Sequence, residues 1–224
     1  MKVGFFGGSF DPPHRGHIAL ARLAIERLGL DRVLVAPVGS QPLKRGEAAS
    51  APFEDRVAMV RLAVRSEPRM EVSLVDAPRP DGRPNYTLDS LQNLRKELNP
   101  GDHLYCLMGA DAFLTIGKWH RAGDLLLSCD FVVGSRPGFD LSKIAATLPE
   151  TVSLAAEENS TPGCLAIGLR GQDGSSSRLF LLTDLEQDIS ATEIRQELRS
   201  SAAAALDPAV TAYIAERKLY RDLA

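Results

Sequence analysis

The sequence predicts an α/β fold, a doubly wound parallel sheet closed by a helical C-terminal segment. Three observations predict it. Short apolar runs alternate with longer stretches whose apolar residues recur at helical spacing, the pattern of βαβ units with both sheet faces covered. A Gly/Pro/His-rich turn follows the first apolar run directly and opens a helical pattern. From Ile189 to the end the pattern is helical, with Pro208 opening the last helix. The right-handed crossover rule then favours a doubly wound sheet over other parallel arrangements.

The elements follow in order. Lys2–Phe6 reads as a buried strand, since glycines interrupt its apolar run too early for a secretory h-region. A helix from about Arg15 to Leu28 puts Leu20, Leu23, Ala24 and Leu28 at helical spacing. Arg32–Ala36 is a second strand, and a polar loop with Gly39, Pro42 and Gly46 leads to Pro52, which opens a helix with Val57, Val60 and Val64 on one face. Met70–Val75 is a third strand. Thr87–Leu98 is a helix with Thr87 as its N-cap, stopped by Asn99-Pro100-Gly101. His103–Met108 and Phe131–Gly134 supply two more strands. Glu157–Arg178, rich in Gly, Ser and Pro, reads as loop around one strand at Leu165–Leu169.

Composition sets bounds on function. With 224 residues, 44% hydrophobic and 25% charged, the chain has enough apolar material for a full core. A formal net charge of −3 argues against broad binding to a nucleic-acid backbone, and no apolar stretch reaches the ~18 residues of a membrane span. Neither nucleic acid nor membrane is expected as a partner. Cys106, Cys129 and Cys164 show no CxxC spacing, which points to free thiols in a reducing cytoplasm. The sequence is compatible with a homo-oligomer and does not fix the oligomeric state.

The informative segment is GGSFDPPHRGH, Gly7 to His17. In an open parallel sheet, ligands bind beyond the carboxyl ends of strands, where this turn lies. Gly7 and Gly8 let the backbone approach a ligand, and Pro12 and Pro13 fix φ before the helix. His14 and His17, three apart at a helix start, share a face where free N–H groups and the helix dipole favour an anion. One such histidine alone would read as a capping or surface residue; two after a strand-glycine turn point to phosphate. The segment is neither a P-loop nor GxGxxG.

GSFDPPHRGH resembles the HxGH motif of the nucleotidyltransferase superfamily, and its Phe10-Asp11-Pro12 form is most similar to bacterial nicotinate mononucleotide adenylyltransferases. The resemblance covers nearly the whole chain. It implies a Rossmann-like nucleotidyltransferase fold in a single domain, 1–224. Residues 1–136 would form the core, 137–188 a less regular segment with one or two strands, and 189–224 the helical part. It implies adenylyl transfer from ATP to nicotinate mononucleotide, yielding the dinucleotide and pyrophosphate in NAD biosynthesis. His14 and His17 would contact the ATP phosphates and stabilise the pentacoordinate transition state, with Gly8, Ser9 and Phe10 of the same turn also at ATP and Ser9 shared with the mononucleotide.

Other segments corroborate it. Ile189-Ser190-Ala191-Thr192-Glu193-Ile194-Arg195 reads locally as a capping box, Ser190 with Glu193. It also resembles the family's ISxTxIR motif, which implies that Ser190, Thr192 and Arg195 face the ATP phosphates. Gly109-Ala110-Asp111 at a strand end puts a carboxylate where ribose hydroxyls bind; in another fold Asp111 would simply cap a helix. Trp119, the only tryptophan, lies between Lys118 and His120 and is free to stack on a flat ring, the pyridine by resemblance. The family often has Tyr where His120 stands. Thr87 in Asn85-Tyr86-Thr87-Leu88 falls beside the nicotinate carboxylate by the same resemblance. Lys44 and Arg136 each follow a strand and can reach the mononucleotide phosphate.

The implied chemistry is in-line attack of the mononucleotide phosphate on the α-phosphorus of ATP, governed by positioning and electrostatics. Mg²⁺ would come with ATP, held mainly by nucleotide oxygens and water, with no protein metal ligand assigned. The alternatives are a nicotinamide mononucleotide or pantetheine-phosphate adenylyltransferase, and, from another class, a non-catalytic nucleotide sensor. A sensor would be betrayed by loss of a motif histidine or of the Ser/Thr/Arg cluster, and both are present. A synthetase would need a KMSKS-like loop, which is absent from the sequence.

Overall fold

Alternation along the first strand sets the architecture. In Lys2–Gly8 (β1), Val3 and Phe5 enter one buried cluster and Phe6 enters another across the sheet. Each such side chain contributes about 1.5–3 kcal/mol on burial. In the computed structural model the residues described are 1–40, 50–135, 141–157, 160–185, 191–197 and 204–220. After β1 come Arg15–Leu28 (α1), Arg32–Pro37 (β2), Phe53–Val64 (α2), Met70–Val72 (β3), Thr87–Glu97 (α3), His103–Gly109 (β4), Ala110–Phe113 (α4) and a 3-10 turn at Ile116–Lys118. Then follow Ala122–Ser128 (α5), Asp130–Gly134 (β5), Leu141–Thr147 (α6), Val152–Glu157 (β6), Cys164–Gly171 (β7), Ser176–Leu182 (β8), Ala191–Glu197 (α7) and Pro208–Arg217 (α8).

The strands form one eight-stranded sheet in the order β3-β2-β1-β4-β5-β8-β7-β6. It is mostly parallel: β7 pairs antiparallel with both β6 and β8, so it alone opposes the common direction. Leu20, Ala24 and Ile25 of α1 with Val60 and Val64 of α2 cover one face. Leu88, Leu91 and Leu94 of α3 with Leu125 and Leu126 of α5 cover the other. The sheet is thus doubly wound, as the sequence predicts. The chain steps outward from β1 to β3 and returns to place β4 on the other side of β1. That reversal opens a crevice at the carboxyl ends of β1 and β4.

Three local expectations are corrected. The third strand ends at Val72 instead of Val75, because it is an edge held only by β2 and the chain turns at once, with Ala77 N donating to Leu74 O at 2.9 Å. Tyr86, extended at φ −101°, ψ 130°, is the N-cap of α3, which leaves Thr87 as its first helical residue. The described residues of 137–188 hold three strands, not one or two. Gly163 and Gly174 turn at φ +77° and +85°, and the Ser-rich run Ser175–Ser177 leads into β8, whose Leu179 and Leu181 are buried. The polar start of β8 masked it, and Phe180 and Leu182 on the other face pack against a second core, so no polar alternation marks the strand.

A third cluster forms beside α2, where Met59 and Ala63 meet Ile194, Leu206, Val210, Ile214 and Tyr220. It brings the C-terminal helices back to the turn after β1.

Candidate active site

The turn after β1 is held from below by charges the sequence left unassigned. Arg56, 2% exposed, donates from Nη1 to the Ser9 carbonyl at 2.7 Å and from Nε to the Ala51 carbonyl at 3.2 Å. The buried Asp11 carboxylate accepts from Ser50 N at 2.6 Å, Ala51 N at 3.1 Å and Tyr220 Oη at 2.8 Å. Phe10 takes a left-handed φ of +46°, a conformation that a non-glycine residue holds only when its surroundings enforce it. The cis Asp11–Pro12 bond completes the turn.

On this base stand the two histidines. His14 is the N-cap of α1 and His17 its third residue. Their rings stack at 3.6 Å between centroids, with 30° between planes. His17 Nδ1 accepts from the His14 N–H at 3.1 Å, so the neutral ring carries its proton on Nε2 and has a donor to offer. The Phe10 ring supports His17 from the side at 4.9 Å. Burial pushes His14 down to about 4. Burial, then the neighbouring His14, pushes His17 well below the ordinary imidazole value, although part of its surface stays accessible. Both are neutral at pH 7, and a polyphosphate beside them would raise both values.

Two cavities adjoin here. The larger, 570 Å³, lies along the ends of β1, β4 and β5; Gly8, Ser9, His14, His17, Gly109 and Asp111 are on its wall. Its only Lys or Arg among the described residues is Lys143 of α6. The smaller, 390 Å³, is bounded by Asp76, Asn85, Thr87, Lys118, Trp119 and His120 among others. Gly7, Gly8, Ala112 and Trp119 belong to both walls. A Cβ on Gly7 would lie 2.9 Å from the Phe5 ring, so the bare backbone is a packing requirement at this shared edge.

Trp119 is half-buried, its Nε1 donating to Thr115 Oγ1 at 3.0 Å, which fixes the ring. Tyr86 and His120 stack at 4.1 Å between centroids. Asn85 joins two loops: its Oδ1 accepts from Ser40 N at 3.2 Å and its Nδ2 donates to Ala77 O at 2.9 Å.

The structure therefore gathers Gly8, Ser9, His14, His17, Gly109 and Asp111 around one cavity, and Thr87 and Trp119 around the next. The Phe10 side chain is 1% exposed and packs against the His17 ring, so only its main chain borders the turn's open side. Thr192 and Arg195 are on neither wall. Arg195 Nη1 donates to the Asp11 carbonyl at 2.7 Å and its Nη2 to Thr192 Oγ1 at 3.3 Å, beside the histidine turn. Lys44, Arg136 and Ser190 lie outside the described residues. Sequence reasoning missed Asp76 and Lys143. Asp76 sits alone in a Pro-rich stretch with no motif around it, and Lys143 had only its place on a helix after a strand as a signal.

Among the described residues, no group of three or more His, Cys, Asp or Glu could hold an ion, and Asp111 is the only carboxylate on the larger wall. Such a set suits an ion carried by a nucleotide better than one resident in the protein.

Residues 5–197 match the family model described as cytidylyltransferase-like. Over 224 residues the chain is 35% identical to a Pelobacter propionicus protein named "Probable nicotinate-nucleotide adenylyltransferase", covering 99% of both. It is 38% identical over 224 residues to a protein of the same name from Dechloromonas aromatica, covering 98% of both. Among solved structures it resembles the Plasmodium falciparum nicotinic acid mononucleotide adenylyltransferase complexed with NaAD, with a TM-score of 0.67 at 18% identity, over 98% of this chain and 97% of that one. The same enzyme complexed with APC gives 0.65, again at 18% identity, over 98% and 96%. At that identity the likeness concerns the fold.

Proposed function

Because the chain belongs to the nicotinate-nucleotide adenylyltransferase family, we propose that it transfers the adenylyl group of ATP to nicotinate mononucleotide, releasing pyrophosphate. One observation carries this reading: two cavities share the Gly7–Gly8 backbone and Trp119, with the histidine pair on the wall of the larger. ATP fits the larger and the mononucleotide the smaller, so the nucleophilic phosphate and the α-phosphorus meet over the glycines.

The reaction asks little of the protein beyond placement. A phosphate monoester is largely ionised at neutral pH, so no strong base is needed. His17, with Nε2–H available, and His14 donate to phosphate oxygens whose charge grows in the transition state. The N-terminus of α1 favours the same charge, and Lys143 is added as a cation for the triphosphate. Asp111 is assigned to a ribose. Ser190, Thr192 and Arg195 are kept as candidates for the departing pyrophosphate, which for Arg195 requires release of the Asp11 carbonyl. Lys44 and Arg136 are assigned to the mononucleotide phosphate. Mg²⁺ accompanying ATP would neutralise charge on the phosphates, with Asp111, on the wall of the larger cavity, available to assist.

In the smaller cavity the pyridine ring stacks on Trp119. Its carboxylate takes N–H groups at the start of α3, beside Thr87, where the helix dipole favours it. The three free, buried cysteines suit a reducing cytoplasm. Pyrophosphate release with ATP and a panel of nicotinate, nicotinamide and pantetheine phosphates tests the proposal. We expect kcat/KM for nicotinate mononucleotide to exceed that for the amide by ~10²-fold, because an amide leaves about two donors unpaired at 1–3 kcal/mol each. A preference for pantetheine phosphate, or no turnover, would overturn it.

A further inference from the structure

The smaller cavity contains a carboxyl group that the mechanism above does not use. Asp76, in the turn after β3, is 3% exposed. Its Oδ1 accepts from the hydroxyl of Ser90 in the first turn of α3, and its main-chain carbonyl accepts from Gly39 N at 2.7 Å. Its Oδ2 has no hydrogen-bond donor among the described residues and lies 3.5 Å from where a Cβ on Gly7 would stand, on the cavity side of β1.

The groups around it leave it uncompensated. Ser90 of α3 and the Cys106 thiol of β4 face it, the thiol pushed well above its ordinary value by burial and so uncharged. The basic side chains of the cavity, Lys118 and His120, are exposed and form no ion pair with it; His120 stacks instead on Tyr86. Asp89, the other acid at the start of α3, pairs outward with Arg79 at 3.7 Å. Two carboxylates brought into one such pocket repel, and a single proton between them is the low-energy arrangement.

We infer that Asp76 is a specificity-determining residue for this pocket: it binds the mononucleotide as the neutral acid and donates from Oδ2 to the substrate carboxylate, while Ser90 holds Oδ1. This rests on the reading that the pyridine ring occupies this cavity. An O–H···O⁻ bond is short and strong, and it converts a buried acid from an obstacle to an anion into its partner.

The consequence is a signed pH dependence. Burial holds the Asp76 carboxyl up at about 6, against the pull of the Ser90 hydroxyl. Below that value the residue is already neutral and ready to donate. Above it a proton must be taken up when the acid substrate binds, so acid binding weakens as pH rises. The amide brings no second carboxylate, and an ionised Asp76 can accept from its NH₂, so it takes up no such proton.

Two measurements test this on the intact protein. In calorimetry at pH 7.5, in buffers of different ionisation enthalpy, nicotinate mononucleotide should take up close to one proton more than nicotinamide mononucleotide; the phosphate, common to both, cancels. In kinetics from pH 6 to 8.5 the acid-to-amide ratio of kcat/KM should fall with a slope approaching tenfold per pH unit. Asp76→Asn, which keeps a donor and loses the charge, should flatten that slope. Equal proton uptake in the wild-type protein, or an unchanged slope in the variant, overturns the inference, and the calorimetry stands even if the variant fails to fold. Turnover of the acid without differential proton uptake removes only the role of Asp76. Failure of both mononucleotides to bind removes the functional reading and this inference together.

Discussion

On one side of the Gly7–Gly8 backbone lies a 570 Å³ cavity walled by main chain, a helix start and two imidazoles; on the other lies a 390 Å³ cavity bounded by Trp119, Tyr86, His120 and a buried acid. The first is made from consecutive residues of one turn and the ends of neighbouring strands. The second is assembled from separate loops, two of them tied by Asn85, with Trp119 fixed locally by its hydrogen bond to Thr115. A site for phosphates can be local, because glycines, N–H groups and a helix dipole suffice. A site that must recognise one ring substituent needs side chains gathered from a distance. Substitutions on the two sides should therefore fail differently.

The largest effect is expected on the side of the histidine pair. His17→Ala should lower kcat by roughly 10²–10⁴, the range for losing one donor to developing charge, in steady-state pyrophosphate release. A loss under tenfold would take the imidazole out of the chemistry. On the other side, Trp119→Ala should raise KM for the mononucleotide by roughly 5- to 150-fold, since ring stacking is worth about 1–3 kcal/mol. Because Trp119 also touches the larger cavity, KM for ATP should rise as well, but by much less. Equal losses would make Trp119 a packing residue and dissolve the division between the two cavities.

That division also explains what could be read in advance. The helix and strands up to Gly134 were legible because their apolar residues repeat at periods of 3.6 and 2, and Gly7 to His17 because its chemistry is contiguous. The hairpin of β7 and β8 was not, since the polar run Ser175–Arg178 hid the start of β8, and its remaining residues, Leu179–Leu182, face two cores and do not alternate with polar ones. Asp76 gave no local sign, because its burial is produced by packing against Ser90 and Gly7 from other elements. The supporting roles of Arg56 and Asp11 were equally silent, because the contacts that make them, to Ser9, Ser50, Ala51 and Tyr220, mostly lie about 40 or more positions away in sequence.

The neutral histidines predict a smaller, pH-dependent effect on stability. A folded-state value depressed below the unfolded 6.5 gives stability that is complete above 6.5 and is lost as pH falls toward about 4, the value of His14. Urea melts should show unfolding free energy dropping from pH 7 to pH 5, with a slope of at most about 1.4 kcal/mol per pH unit per imidazole. Replacing both histidines by Asn should reduce the slope; an unchanged slope would assign the acid lability to other groups. The smallest effect is expected at the support beneath the turn. Tyr220→Phe removes one of three hydrogen bonds to the Asp11 carboxylate and should cost about 1 kcal/mol of stability, with kcat changed less than threefold. A large loss of turnover without a loss of stability would mean that the C-terminal segment acts on the chemistry itself.

The central claim is that both substrates occupy their cavities together and react directly across the shared glycines, with no adenylyl–enzyme between them. Stereochemistry at the transferred phosphorus tests this most directly. With ATP carrying a chiral α-phosphorothioate, a single in-line displacement predicts inversion of configuration in the dinucleotide product. Retention would mean two displacements through a covalent intermediate, and would contradict the account.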